Sequence, residues 1–323
     1  MTVRVSCGAR LHFGFCNLSL AHERLYGSLG VGVEEPRVTV TADPADRVRC
    51  THPDARAFAE TAVEILDVPG AAVAVESELP RHAGLGSGTQ LALAVLSAVA
   101  RANDVPANPV ENAPALGRGG RSGVGLATFR RGGFVLDAGH PTGRFTTKRP
   151  SRGNWDVPAP VASHDVPDDW RFVLVTPETD AGPSDETEDR KMRAVVESAS
   201  PDVADRVSGV VLRRVLPAVV EGDHERFGAG VAEVGRLNGA WYADEQGGVY
   251  RPPVGELVAS LSESPAVAGA GQSSWGPTAY AVTDVERVDA AERAARDALG
   301  AAGVDGTVRV VAGRNRGRVV TGP

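Results

Sequence analysis

The tightest constraint in the sequence is one run, Pro80-Arg-His-Ala-Gly-Leu-Gly-Ser-Gly-Thr-Gln90, which passes directly into an apolar stretch, Leu91–Ala102. Glycine lets a backbone approach a ligand closely because it lacks Cβ. A helix that starts right after such a loop offers unpaired N–H groups and the positive end of its dipole. Gly84, Gly86 and Gly88 fall within five residues, and Ser87 and Thr89 add hydroxyls suited to phosphate oxygens or to the shell of a Mg²⁺ ion. An ordinary N-cap by Ser87 or Thr89 explains one glycine and one hydroxyl, but not three glycines. The segment predicts an anion site at a helix N-terminus.

Composition narrows what that anion belongs to. The chain has 323 residues and a formal charge of −7, so a broad basic footprint for nucleic acid is not expected. Only Lys148 and Lys191 are lysines, and neither sits in G-x-x-x-x-G-K-[ST], which excludes a Walker-type loop. The three cysteines, Cys7, Cys16 and Cys50, form no C-x-x-C pair and suit a reducing compartment. The histidines are scattered, with no H-E-x-x-H zinc motif. Met1 to Phe15 alternates and carries Arg4 and Arg10, unlike a signal peptide, and Leu91 to Ala100 is too short to span a bilayer. A cytoplasmic protein with no membrane or nucleic-acid partner is expected.

Periodicity gives the organisation. Val3, Val5 and Cys7 alternate with polar neighbours, as do Leu11 and Phe13, and Val38 to Thr41 is another β-rich run. Ala55, Phe58, Ala59, Ala62 and Ile65 fall at helical spacing within residues 54–67. Val73 to Val75 reads as a short strand, and Leu126–Phe129 with Gly133–Asp137 as a hairpin. Residues 138–168 read as a linker or an excursion at the active site. Trp170–Val175 restarts the pattern as a buried strand. Helices follow over 203–221 and 224–238, then a second glycine-rich loop, Gly269–Gly276, a strand Thr278–Thr283, a helix 284–300 and a closing strand Thr307–Val311. This order predicts an α+β fold with helices on one face of antiparallel sheet.

Pro80-x-x-x-Gly84-Leu-Gly-Ser-Gly-Thr89 resembles the phosphate-loop motif of the GHMP kinase superfamily, and Gly269–Gly276 resembles that superfamily's C-terminal glycine motif. Five segments are similar to one branch, the β-ribofuranosylaminobenzene 5′-phosphate synthases: Ala9-Arg-Leu-His-Phe-Gly14, Gly86-Ser-Gly-Thr-Gln90, Gly120-Arg-Ser-Gly123, Gln246-Gly-Gly248 and Gly271-Gln-Ser-Ser-Trp-Gly-Pro277. The resemblance implies a ribosomal-S5-like domain over 1–150 and a ferredoxin-like domain over 151–323. It implies a pentosyltransferase that joins phosphoribosyl diphosphate to 4-hydroxybenzoate or 4-aminobenzoate, with release of carbon dioxide and diphosphate, as in methanopterin biosynthesis. Mg²⁺, no redox cofactor and a homodimer are expected with it.

The residues that would carry this chemistry follow. The loop residues Gly84, Leu85, Gly86, Ser87, Gly88, Thr89 and Gln90 would bind phosphate, with Ser87 a possible metal ligand. Departing diphosphate needs guanidinium clamps, for which Arg10, Arg121 and, behind them, Arg118 are candidates, each against the alternative of a surface arginine. His12 shares a face with Arg10 if the segment is a strand, so it could meet the acid or shuttle a proton, or sit at the core edge. Gln272, Ser273, Ser274 and Trp275 offer polar groups and a flat ring for a benzoate, or an anchored turn. Asp185, Glu186, Glu188 and Asp189 either hold Mg²⁺ or form a solvated helix start. Kinases of the superfamily commonly place an Asp in S-G-[IV]-D, where this chain has Ser122-Gly-Val-Gly125, and the stretch Ala113–Arg118 lacks the expected Glu. These absences weigh against the alternative of an ATP-dependent small-molecule kinase. A non-catalytic phosphometabolite sensor would not need both glycine loops.

Overall fold

The alternation that opens the chain builds a long antiparallel hairpin from β1 (Val3–Asn17) and β2 (Arg24–Pro44). Val3, Val5, Cys7, Ala9, Leu11 and Phe13 all turn inward, the period of two that a half-buried strand requires. The structure is a computed structural model that describes residues 2–145, 153–179 and 185–322, and of 185–188 the backbone alone. The side chains of Asp185, Glu186 and Glu188, and the 150/151 domain boundary, lie outside the described residues.

Helix α1 (Pro53–Leu66) starts on His52, whose ring accepts from the Ala55 N–H, and stops at Asp67 in the left-handed region. Then come β3 (Ala71–Ser77), α2 (Ser87–Ala102), the single turn α3 (Pro109–Asn112), α4 (Val124–Arg130), β4 (Phe134–Asp137), β5 (His140–Pro141) and β6 (Pro160–His164). Every residue of α2 from Gln90 to Ala100 is buried, against β1, β2 and α1. A helix with no polar face has to be covered on all sides.

The second part contains β7 (Trp170–Pro177), α5 (Asp185–Ser198), α6 (Pro201–Val210), a wider π turn at Val211–Val215, and α7 (Leu216–Glu221). It continues with α8 (His224–Gln246), α9 (Val254–Glu263), β8 (Gly269–Gln272), β9 (Ala279–Asp284), α10 (Val288–Ala302), β10 (Gly306–Ala312) and β11 (Val319–Thr321). One sheet runs β11-β1-β2-β4-β6, with β3 and β5 added on β2; the other runs β10-β7-β9-β8. All strand pairs are antiparallel. Two strands from beyond residue 150, β6 and β11, thus join the first sheet. Among the described residues no helix is long and apolar enough to cross a membrane.

Three expectations need correction. Leu126–Phe129 is not a hairpin strand but part of α4. The Ser122 hydroxyl accepts from the Val124 N–H and starts a helix too short for its period to show. Gly269–Gly276 is not one loop, because Gly269–Gln272 is a strand. A Cβ on Gly269 would fall 2.0 Å from the Gly228 carbonyl oxygen, and one on Gly271 would fall 2.6 Å from the Tyr280 hydroxyl. These two glycines serve the packing of α8 and Tyr280 on β8, not a ligand. Thr307–Val311 does not close the fold either. The chain crosses back, and β11 pairs with β1 as the outer strand of the first sheet.

Arg314 fixes that return. It is 2% exposed, its N–H donates to the Gly32 carbonyl at 2.9 Å, and its guanidinium meets Glu34 at 2.6 Å and the Gly317 carbonyl at 2.8 Å. Glu34 is partly exposed and also pairs with Arg37 and Arg316, so loss of Arg314 removes the bond to the Gly317 carbonyl and a buried guanidinium rather than stranding a carboxylate. Arg314→Met is expected to lower the unfolding free energy in urea by about 1–3 kcal/mol. Arg4→Met, which breaks the exposed Arg4–Glu76 pair, should cost no more than about 1 kcal/mol.

Candidate active site

The glycine loop is held open by backbone that tolerates no side chain. Gly84 has φ +84°, and a Cβ there would lie 2.1 Å from the Ser273 carbonyl oxygen; one on Gly276 would lie 2.1 Å from the Gly84 nitrogen. The turn after β8 therefore sits directly on the phosphate loop. Gly86 takes φ 83°, ψ 22° as the N-cap of α2 and supplies no side-chain cap bond. The Thr89 and Gln90 N–H groups return to the Gly86 carbonyl, which leaves the amides of Ser87 and Gly88 as the open donors of the first turn.

Two guanidiniums flank this turn. The Arg10 side chain donates to the Gly84 carbonyl at 2.5 Å, its backbone N–H donates to the Leu85 carbonyl, and its Cγ lies 3.0 Å from a Cβ placed on Gly86. Arg118 lies 3.0 Å from a Cβ placed on Gly88 and covers the Phe58 ring at 5.2 Å. Arg10 and His12 project from a stretch of β1 bounded by register shifts at Gly8–Arg10 and His12–Gly14. Such irregularities re-aim side chains next to sites.

Loop, guanidiniums and turn open on one cavity of about 1260 Å³ that both halves of the chain line. Gly84, Gly86, Ser87, Gly88, Thr89, Arg10, His12, Arg121, Gln272, Ser274 and Trp275 border it, whereas Leu85, Gln90 and Ser273 do not. Gln90 is buried and donates to the Gly125 carbonyl at 2.9 Å. Ser273 is fully buried; its hydroxyl accepts from the His12 N–H at 3.1 Å and donates to the Gly84 carbonyl at 2.7 Å. The Gln272 amide accepts from the Arg251 N–H and donates to the Ser274 carbonyl. Ser274, at φ 56°, returns its N–H to the His12 carbonyl. Gln272 and Ser273 thus use their polar groups to fix the turn, and Trp275 stands edge-on to Tyr242 at 4.8 Å.

His12 is 3% exposed, and its Nδ1 is buried without a partner among the described residues. Burial, then the charge of Arg10, holds its pKa well below the usual 6.5, against a weaker opposing backbone hydrogen bond. The ring is therefore neutral at pH 7. It packs edge-on against Phe15 at 5.0 Å, and Phe15 lies 5.6 Å from Tyr26. Tyr26 carries a positive φ of 68°, an uncommon conformation for a bulky residue. Its hydroxyl is hydrogen-bonded by Arg121, which also pairs with Asp189 on α5. One turn along α5, Arg193 lines the same end of the cavity.

Two features escape the sequence reading, and a third, Arg118, is the last of its three candidate guanidiniums yet lies on Gly88. Arg193 was not singled out; the Asp189/Arg193 spacing of four on one helix was the available signal. Asp137 is buried beneath the 122–123 turn. It accepts N–H groups from Ser28, Gly123 and Gly139 and the Ser28 hydroxyl, and burial raises its pKa against the pull of those bonds. It does not border the main cavity. Gly125 stands against the loop itself, since a Cβ there would lie 3.2 Å from Thr89 Cγ2. A carboxylate at that position would crowd Thr89. Among the described residues no three His, Cys, Asp or Glu side chains gather as a metal site. The hydroxyls of Ser87 and Thr89 are what the loop offers an ion.

The family of GHMP kinases N terminal domains matches residues 54–131, and that of GHMP kinases C terminal domains matches 215–301. Over nearly its whole length the chain is similar to beta-ribofuranosylphenol 5'-phosphate synthases. It is 31% identical to the one from Methanothermobacter thermautotrophicus over 328 residues, 97% of each chain. It is also 31% identical to the one from Archaeoglobus fulgidus, over 98% of each. Homoserine kinase from Cytophaga hutchinsonii shares the fold with a TM-score of 0.66 at 15% identity, covering 99% of this chain and 97% of that one. Mevalonate pyrophosphate decarboxylase from Streptococcus pyogenes does so with 0.69 at 11%, covering 98% and 97%. The expected α+β fold of two GHMP-type domains stands.

Two measurements check this geometry. Gly86→Val places a branched side chain at a left-handed φ and against Arg10, so calorimetry should show binding of inorganic diphosphate lost while circular dichroism stays near wild type. His12 binds a proton in the unfolded chain but not in the fold. Its contribution is therefore complete above pH 6.5 and is lost as pH falls below it. His12→Gln should flatten the acid limb of stability against pH by up to about 1.4 kcal/mol per pH unit.

Proposed function

The chain belongs to the beta-ribofuranosylphenol 5'-phosphate synthase family, and from that premise we propose that it transfers a 5-phosphoribosyl group from phosphoribosyl diphosphate to a 4-substituted benzoate, with loss of carbon dioxide and diphosphate. The observation that carries this reading is a glycine loop flanked by Arg10 and Arg118 in the same cavity as an aromatic wall of Phe15, Tyr26, Tyr242 and Trp275. An anion and a flat ring would meet there.

The loop amides and the two guanidiniums receive the diphosphate as its bond to ribosyl C1 breaks, and they stabilise the charge that develops on the leaving oxygen. The ring carbon that bears the carboxylate then bonds to C1. The carbon–carboxylate bond breaks, its electron pair restores the aromatic ring, and carbon dioxide departs. Neutral His12, between the loop and the aromatic wall, gives this centre a hydrogen-bonding group that does not repel the oxocarbenium-like carbon. Gly125, where a kinase has its carboxylate, supports a reaction that abstracts no hydroxyl proton.

Mg²⁺ would neutralise diphosphate oxygens when bound. The described residues suit an ion that arrives on the substrate and meets the Ser87 and Thr89 hydroxyls, because no ready-made cluster of ligands stands beside them. Mg²⁺ titrated with phosphoribosyl diphosphate should give a clear calorimetric signal that EDTA abolishes. In the decisive assay, benzoates labelled in the carboxyl carbon are incubated with phosphoribosyl diphosphate, with and without EDTA. Labelled carbon dioxide and diphosphate should appear together and cease with EDTA. Formation of ADP from ATP and pantoate, mevalonate or homoserine, with no labelled gas from any benzoate, would refute the proposal.

A further inference from the structure

At the end of the cavity away from the glycine loop stand two hydrogen-bond donors with an unusual arrangement. A guanidinium has donors and no acceptor, so Arg121 uses the lone pair of the Tyr26 hydroxyl and leaves that hydroxyl its own proton to give. Among the described residues no acceptor meets that proton. Arg193 lies close enough for its charge to act on Tyr26, and its Nε is buried without a hydrogen-bond partner among the described residues. The nearby acceptors are withdrawn: Asp189 is engaged by Arg121, and Nε2 of His140, edge-on to Tyr26 at 6.1 Å, is buried out of contact. Phe15, Phe145, Tyr242 and Trp275 complete an aromatic and apolar cluster around this corner. Tyr26 holds its place at a strained backbone angle, as residues fixed for function often do.

We propose that Tyr26 and Arg193 form a donor-only subsite that grips the oxygen on ring position 4 of the acceptor, selects a hydroxyl over an amino group, and holds it as phenolate. The inference rests on the phosphoribosyl-transfer reading above. If the leaving diphosphate lies on the Gly84–Thr89 loop, the carboxylate-bearing ring carbon must face that loop. The para substituent then points to the opposite end. A phenolate accepts from two donors, whereas an aromatic amine is chiefly a donor and would face Tyr26 and Arg193 proton to proton. The phenol gives its proton to solvent on binding. The phenolate pair then moves through the ring to the para carbon as that carbon bonds ribosyl C1 and the C1–diphosphate bond breaks. Loss of carbon dioxide returns the pair to the ring and regenerates the phenolate.

Arg193→Gln and Tyr26→Phe test this against the wild-type enzyme. Three quantities are measured: kcat/KM for 4-hydroxybenzoate and for 4-aminobenzoate, KM for phosphoribosyl diphosphate, and the absorbance of bound 4-hydroxybenzoate near neutral pH. The wild type should prefer the hydroxy acid and show a red-shifted phenolate band. Each variant should lose about tenfold or more on the hydroxy acid, the size of one charge-assisted hydrogen bond, with little change on the amino acid analogue and a weakened band. Unchanged preference and an unchanged band in both variants would overturn the subsite. So would a raised KM for phosphoribosyl diphosphate with the acceptor parameters intact, which would assign Arg193 to the 5-phosphate instead. Absence of diphosphate release by the wild type with either benzoate would defeat the reaction reading itself, and the spectral titration would then decide the subsite alone.

Discussion

One hydroxyl joins the three pieces of backbone on which the site depends. Ser273 accepts from His12 on β1 and donates to Gly84 on the phosphate loop, while its own turn, through Ser273 and Gly276, sits against Gly84 with no room for a Cβ between them. The hydroxyl has no solvent access, so its two bonds have no competitor and the loss of either strands a buried polar group. The first strand, the loop ahead of α2 and the turn after β8 cannot shift independently. That rigidity places Arg10, His12 and the open amides of Ser87 and Gly88 in fixed relation, which is what an electrostatic site needs before charge develops in it.

Around this knot the arginines divide by partner. Arg81 faces Asp54 and Arg144 faces Asp156 at the rim, and Arg121 faces Asp189 inside. Arg10 and Arg118 lie along the loop, and the Nε of Arg193 is buried without a hydrogen-bond partner among the described residues. Arg10 and Arg118 thus bring their charge to the glycine loop, while neutral His12 and then Phe15 lead from it along β1 towards Tyr26.

Much of this was legible in residue order, because it rests on local constraint. The three glycines between Gly84 and Gly88 with the apolar run behind them predicted a loop and a buried helix, and the alternation from Val3 to Phe13 predicted a strand that carries Arg10 and His12 on one side. What stayed hidden rests on distance in space. Nothing near Ser273 in sequence says that its hydroxyl closes a knot rather than meets a ligand, and Arg118 resembles any of the chain's many arginines until Gly88 is seen beneath it. Gly269 and Gly271 read as loop because a glycine needed for close helix packing looks the same, in sequence, as one needed for a turn. β11 is only three residues long, and its identity as a strand comes entirely from its partner.

The pairing of β11 with β1 also sets an order on how the protein can be made. On a ribosome β1 emerges early, pairs with β2, and then presents a bare edge while the second sheet and most of the helices are still being synthesised. Val319 to Thr321 cover that edge only after β2 through β10 have been made. An unpaired strand edge is a template for the wrong partner, and the interval during which it is open grows with every residue between the two strands. Until β11 arrives, the edge beside Arg4 and Ser6 is open to a wrong partner, and its closure waits on a strand of three residues.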